Sequence, residues 1–184
     1  MRTFIALDLD KSLKETLEDL ICRLRHWGGD IRWVKPEGMH LTLKFLGEIG
    51  EEAAAKVKST LAVVASRHKA FRLIFQGTGT FPPGHKPRIF WIGIEESPDL
   101  KALQEDLERE LERLGFPSEE RGFHPHLTLG RVKASLGLQP LLQEFRKEAA
   151  TIFGQTEVML LTFFQSTLKP TGAEYSILGE YRLE

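Results

Sequence analysis

GMHLTLKFLG (38–47) and FHPHLTLGRV (123–132) decide the reading of this chain, because His-Leu-Thr-Leu stands at 40–43 and again at 126–129. With ordinary residue frequencies, an exact second copy in a chain this long arises by chance only roughly a few times in a thousand. Successive side chains of a strand point to opposite faces, so His40 and Thr42 share one face while Leu41 and Leu43 share the other. The same parity puts His126 with Thr128 above Leu127 and Leu129. Two such strands related by a pseudo-twofold axis would bring two imidazoles and two hydroxyls to one cleft.

That set of groups suits in-line displacement at phosphorus. One imidazole takes a proton from water, and the other, on the opposite side, gives one to the departing alkoxide. Two threonine hydroxyls can donate to the non-bridging phosphate oxygens, and a cation such as Arg131 or Lys44 can offset developing charge. No metal and no cofactor are required. A zinc site built from His124, His126 and His40 is the sharpest rival, since His-x-His on a strand can chelate zinc. Against it, no Asp or Glu has an obvious ligand spacing, and His124 is answered by Gly38 in the first copy. Arg131 carries its own difficulty: strict alternation points it to the leucine side, and it reaches the cleft only if the strand bulges at Gly130 or ends there.

Around the two motifs the chain alternates strands and helices. TFIALDL (3–9) reads as a buried strand. From Asp10 as N-cap, Leu13, Leu17, Leu20 and Leu24 recur at helical spacing until Gly28 and Gly29. IRWVKPEG (31–38) reads as a short strand and turn. A helix follows from Glu51 to about His68, then strands over 71–81 and 88–95 flank the loop PPGHKP. Ser97 as N-cap, Pro98, leucines at 100, 103, 107, 111 and 114, and a closing Gly115 define a third helix. A short helix near 140–150 precedes two closing strands, TEVMLLTFFQST (156–167) and EYSILGEYRL (174–183). Hairpin-like strand pairs mixed with helices predict an α+β fold with two lobes, each carrying one motif, and no linker divides residues 1–184.

Composition narrows the function classes. The chain is 41% hydrophobic and 28% charged, which excludes disorder, and its net charge of −1 excludes a global footprint for coating nucleic acid. Any anion site is therefore local. No stretch approaches a membrane span, and the single Cys22 excludes an intrachain disulfide and fits a reducing compartment, so a cytoplasmic protein is expected. Cys22, between Ile21 and Leu24, reads as a core residue. The absence of Asn and the density of Glu, Lys and Arg in the helices resemble thermophile composition. The loop TFPPGHKPR (80–88) places Phe81, His85, Lys86 and Arg88 together, an aromatic and cations able to stack a base and hold phosphates, or simply an exposed polar loop.

At these residues the sequence resembles the 2H phosphoesterase superfamily, whose signature is two His-x-Thr/Ser motifs. FIALDL, WVKPEGMHLTLKFLGE, GTFPPGHKPRIFWIGIE, FHPHLTLGR and LTFFQSTLKPTGAEYSIL extend the likeness over essentially the whole chain. They are similar to the branch of RNA 2',3'-cyclic phosphodiesterases, also called 2'-5' RNA ligases. The resemblance implies a single bilobal, pseudo-twofold domain over 1–184, with two antiparallel sheets facing a central cleft and helices outside. It also implies metal-independent hydrolysis of RNA 2',3'-cyclic phosphate ends to 2'-phosphomonoesters, with reversible 2'-5' joining. His40 would be the proton donor to the leaving 3'-oxygen, His126 the proton acceptor, and Thr42, Thr128 and Arg131 the phosphate holders. The partner would be RNA with cyclic phosphate ends, tRNA fragments included, and the protein a monomer away from membranes. Two other readings stay open: a phosphodiesterase for a small cyclic nucleotide or ADP-ribose cyclic phosphate, and an RNA-binding module without chemistry.

Overall fold

The opening apolar run becomes β1 (Arg2–Asp8) in the computed structural model, which describes all residues, Met1–Glu184. α1 (Lys11–Arg25), β2 (Asp30–Trp33) and a 3-10 turn over Pro36–Gly38 lead into β3 (His40–Glu48). There follow α2 (Glu51–Ala65), β4 (Phe71–Phe81), β5 (Ile89–Ile94), α3 (Pro98–Arg113) and β6 (His126–Ala134). The chain closes with α4 (Gln139–Lys147), β7 (Ile152–Val158), β8 (Leu160–Lys169) and β9 (Gly172–Arg182). The fold is α+β, with two antiparallel sheets ordered β3-β1-β8-β9 and β2-β6-β5-β4-β7.

Each motif has its own sheet, but the lobes are not the two halves of the sequence. β2, from the first half, pairs with β6 in the second sheet, while β8 and β9 return from the C-terminal end to extend the first. Helices follow the same exchange: α1 packs on β7, and α2 packs on β8 and β9. The leucine faces of both sheets turn toward these helices and join one apolar core, in which Leu41, Leu43, Leu127 and Leu129 are buried.

Local signals place most elements where the sequence puts them. Ser97 Oγ accepts the backbone N–H of Leu100 at 3.2 Å and caps α3. Asp10 stands at the N-cap of α1, but its carboxylate accepts the Glu157 N–H instead and so ties α1 to β7. Two expectations are corrected. Cys22 is exposed, because the buried stripe of α1 runs through Leu13, Leu17, Leu20, Ile21 and Leu24 and leaves position 22 outside it. TEVMLLTFFQST is not one strand: Val158 ends β7 in the second sheet, Met159 makes the crossing, and Leu160 starts β8 in the first. A continuous apolar run does not reveal a change of sheet.

Candidate active site

The motif strands do not pair with each other; they belong to adjoining sheets, and their Cα atoms approach within 8 Å. The tether is short. Trp33 pairs with Gly130, and the Val34 N–H donates to the Leu129 carbonyl at 2.9 Å. Only Lys35–Met39 then separate this anchor from His40. The entry to the first motif is thus held against the second.

Both motif strands carry a bulge at the same place. Ala6 pairs with Thr42 and Ile5 with Lys44, so Leu43 and Lys44 both turn toward the core. Trp91 pairs with Thr128 and Phe90 with Gly130, so Leu129 and Gly130 do the same. Directly opposed residues share a face, and the bulge therefore returns Arg131, opposite Ile89, to the face of His126 and Thr128. This resolves the parity difficulty of Arg131, which is exposed. It also removes Lys44 from the candidates. Lys44 is 3% exposed, and its Nζ donates to Glu108 Oε2 at 2.7 Å and to the Pro117 carbonyl at 2.6 Å. Phe45, 62% exposed, stands where the second motif has Arg131.

The two histidines meet different surroundings. His40 stacks on Phe4 (centroids 4.8 Å, 27°) and on Phe164 (5.2 Å, 23°), with Tyr175 edge-on at 5.1 Å. Burial in this nest lowers its pKa from 6.5 to about 4, against the attraction of Asp8, which stands opposite it on β1. Lys14 Nζ forms an ion pair with Asp8 Oδ1 at 2.7 Å, and its charge pushes in the same direction as burial. His126 lies at the edge of Phe81 (5.2 Å), which in turn contacts Trp91 (5.2 Å). Its Nδ1 lies 2.8 Å from the His124 carbonyl oxygen. A carbonyl only accepts, so Nδ1 carries the hydrogen and Nε2 of the neutral ring presents a lone pair.

Thr42 and Thr128 are half-buried and make no side-chain hydrogen bond within the protein, unlike Thr3, Thr16, Thr78, Thr151 and Thr156. Thr162, across β1 from Thr42 through Ala6, is 1% exposed with its hydroxyl unpartnered, and Trp91 Nε1 is buried and unpartnered on the second sheet. The two orphaned polar atoms thus belong to residues on the sheet faces that carry Thr42 and Thr128. His124 contributes its carbonyl and not its ring to His126, and no three of the His, Cys, Asp and Glu side chains gather into a metal-holding group. Phe4, Asp8, Lys14, Phe164, Tyr175 and Trp91 were not among the sequence candidates. The period-two spacing of Phe4, Ala6 and Asp8 in TFIALDL was the available signal.

Two antiparallel sheets, each carrying one His-x-Thr strand, and four helices define an α+β class with duplicated motifs. The chain belongs to the 2'-5' RNA ligase superfamily, whose family model matches residues 14–162. It is 37% identical to the RNA 2',3'-cyclic phosphodiesterase of Archaeoglobus fulgidus, over 97% of this chain and 98% of that protein. The Thermotoga maritima protein of the same name is 36% identical, over 100% of this chain and 96% of that one. Among solved structures, a Thermus thermophilus protein aligns with a TM-score of 0.85 at 29% identity, covering 100% of this chain and 98% of that chain. Escherichia coli LigT complexed with 3'-AMP aligns with a TM-score of 0.76 at 25% identity, covering 99% and 97%. No helix is long and apolar enough to cross a membrane.

Proposed function

We propose that the protein hydrolyses the 2',3'-cyclic phosphate at RNA ends to a 2'-phosphomonoester, with both lobes acting as one unit and without a metal. The observation that carries this reading is the His126 ring, whose Nδ1–H···O=C bond to His124 aims a free Nε2 lone pair from a strand duplicated across the cleft. In the step proposed, water attacks phosphorus as His126 Nε2 takes its proton. The P–O3' bond breaks, and His40 supplies the proton that O3' needs. Thr42, Thr128 and Arg131 donate to the non-bridging oxygens. With a 5'-hydroxyl in place of water as the nucleophile, the same groups would form a 2'-5' bond as P–O3' breaks, and attack of the 3'-hydroxyl on that linkage would reverse it.

His40 is largely neutral near pH 7 in the free cleft, given a pKa of about 4. An incoming phosphate anion favours the imidazolium and restores the proton that the acid role needs. The same lowered pKa favours a second assignment, with His40 as base and His126 as acid. Residual activity of His126→Ala separates them. As the pH rises past the His40 pKa, it falls if His40 is the acid and climbs to a plateau if His40 is the base.

The reaction itself is tested with a short RNA ending in a 2',3'-cyclic phosphate, incubated in EDTA with wild type, His40→Ala and His126→Ala. The expected product is the 2'-phosphate, with each variant about 10²- to 10⁴-fold slower. A 3'-phosphate product, chelator sensitivity, or full activity without either histidine would overturn the proposal.

A further inference from the structure

We infer that Arg32, on β2, binds an internal phosphodiester of the RNA, upstream of the cyclic end held by the motifs. Arg32 stands directly opposite Arg131 in the β2–β6 ladder, on the same face, and both are exposed. Like charges placed opposite each other across strands are destabilising. Neither arginine belongs to any of the molecule's ion pairs. A sequence with net charge −1 has carboxylates to spare, and elsewhere they are used: Arg72 on β4 faces Glu157 on β7 across the same sheet, at 2.7 Å. The Arg32–Arg131 pair is thus a local concentration of positive charge with no folding rationale.

The register that creates the pair is also enforced. Ile31 and Trp33, on either side of Arg32, pack over Gly130 so closely that a Cβ there would lie 2.7 Å from Ile31 Cγ2 and 2.8 Å from Trp33 Cε3. A slip of one residue would turn Arg32 into the core and expose both apolar side chains. β2 is the edge strand next to β6, so Arg32 extends the row Ile89, Arg131, Arg32 toward the sheet edge, one strand spacing of about 4.8 Å beyond Arg131. The loop preceding β5 runs beside this row, since the Val132 N–H donates to the Arg88 carbonyl at 2.9 Å. It adds the exposed Lys86, while Arg88, opposite Val132, takes the other face of the sheet. Only a ligand with a second phosphate beyond the reacting one uses this row. That matches a ribonucleotide chain and not a cyclic mononucleotide.

The inference deepens the phosphodiesterase reading, and its test separates the two. An RNA of about eight nucleotides with a 2',3'-cyclic end and a 5'-fluorophore is compared with 2',3'-cyclic AMP, using wild type and Arg32→Gln. Turnover is read for both substrates and anisotropy for the RNA, across a salt series. Arg32→Gln is expected to lower RNA affinity and kcat/KM about five- to tenfold at low salt, and to flatten the salt slope by about 0.7 for the lost phosphate contact. Turnover of the cyclic mononucleotide should stay within about twofold of wild type. An equal loss on both substrates, or no loss on RNA, overturns the inference. RNA binding that depends on Arg32, in a protein that turns over neither substrate, would overturn the phosphodiesterase reading and leave the Arg32 site standing.

Discussion

β3 and β6 run the same course of burial residue for residue: half-buried His, buried Leu, half-buried Thr, buried Leu, a second buried position at the bulge, then an exposed residue. What they face differs at every step. Asp8 opposes His40 where Gly93 opposes His126; Ala6 opposes Thr42 where Trp91 opposes Thr128. Lys44 fills the buried bulge position in one lobe and Gly130 in the other, followed by Phe45 and Arg131. The duplicated strands supply symmetric placement, and the unduplicated neighbours make the two imidazoles chemically unequal. An acid and a base need that inequality, because two groups in identical surroundings would share one proton affinity.

The largest test of this comparison concerns the buried bulge positions. Lys44→Ala leaves Glu108, 13% exposed, without its cation and frees the Pro117 carbonyl, and is expected to cost about 3–5 kcal/mol, or roughly 10 °C in Tm. Removing Glu108 as well should recover part of that loss. Gly130→Ala crowds Ile31 and Trp33 and should cost about 1–3 kcal/mol. Neither position touches the cleft face, so both variants should give the same product isomer as wild type. A Lys44→Ala protein with unchanged Tm and lost activity would return Lys44 to the site.

Next comes the exposed pair after the bulge. Arg131→Gln should lower kcat/KM about 10²-fold, in the range of a lost charge-stabilising donor. Phe45→Ala, at the equivalent place, should stay within about threefold. Equal losses would mean that Phe45 matters as much as Arg131, through its packing on Phe4 beside His40 and not through phosphate.

These two positions also mark where the sequence was legible. The doubled His-Leu-Thr-Leu placed each His with its Thr on one strand face, because period-two alternation is local and the leucines anchor it. It misled at Lys44, since a single extra residue in a strand reverses every later side chain, and only the partner's register reveals it. For Arg131 the sequence posed the choice between bulge and strand end, and the ladder with β5 supplied the answer. The exchange of β2, β8 and β9 between lobes is a matter of pairing between distant segments, which apolar periodicity does not encode. The aromatic nest of His40 was hidden for the same reason: Phe4, Phe164 and Tyr175 come from three strands and meet only in the sheet.

That nest gives the smallest and most specific test. The folded protein holds His40 near 4, below the 6.5 of an unfolded chain, so between these values the unfolded chain binds the proton more readily. Stability from keeping the ring neutral is present in full above about pH 6.5 and is lost as pH falls toward 4. His40→Phe preserves an aromatic ring against Phe4 and Phe164 but cannot titrate. The Tm difference between wild type and His40→Phe should therefore drift in favour of the variant as pH drops through this window, by no more than about 2 kcal/mol for a half-buried ring. Asp8→Asn takes away the carboxylate that favours the imidazolium, and the midpoint of the drift should move to still lower pH. A midpoint that stays in place or moves to higher pH would overturn the attraction assigned to Asp8, because loss of the carboxylate also leaves the Lys14 charge unneutralised and both changes favour the neutral ring.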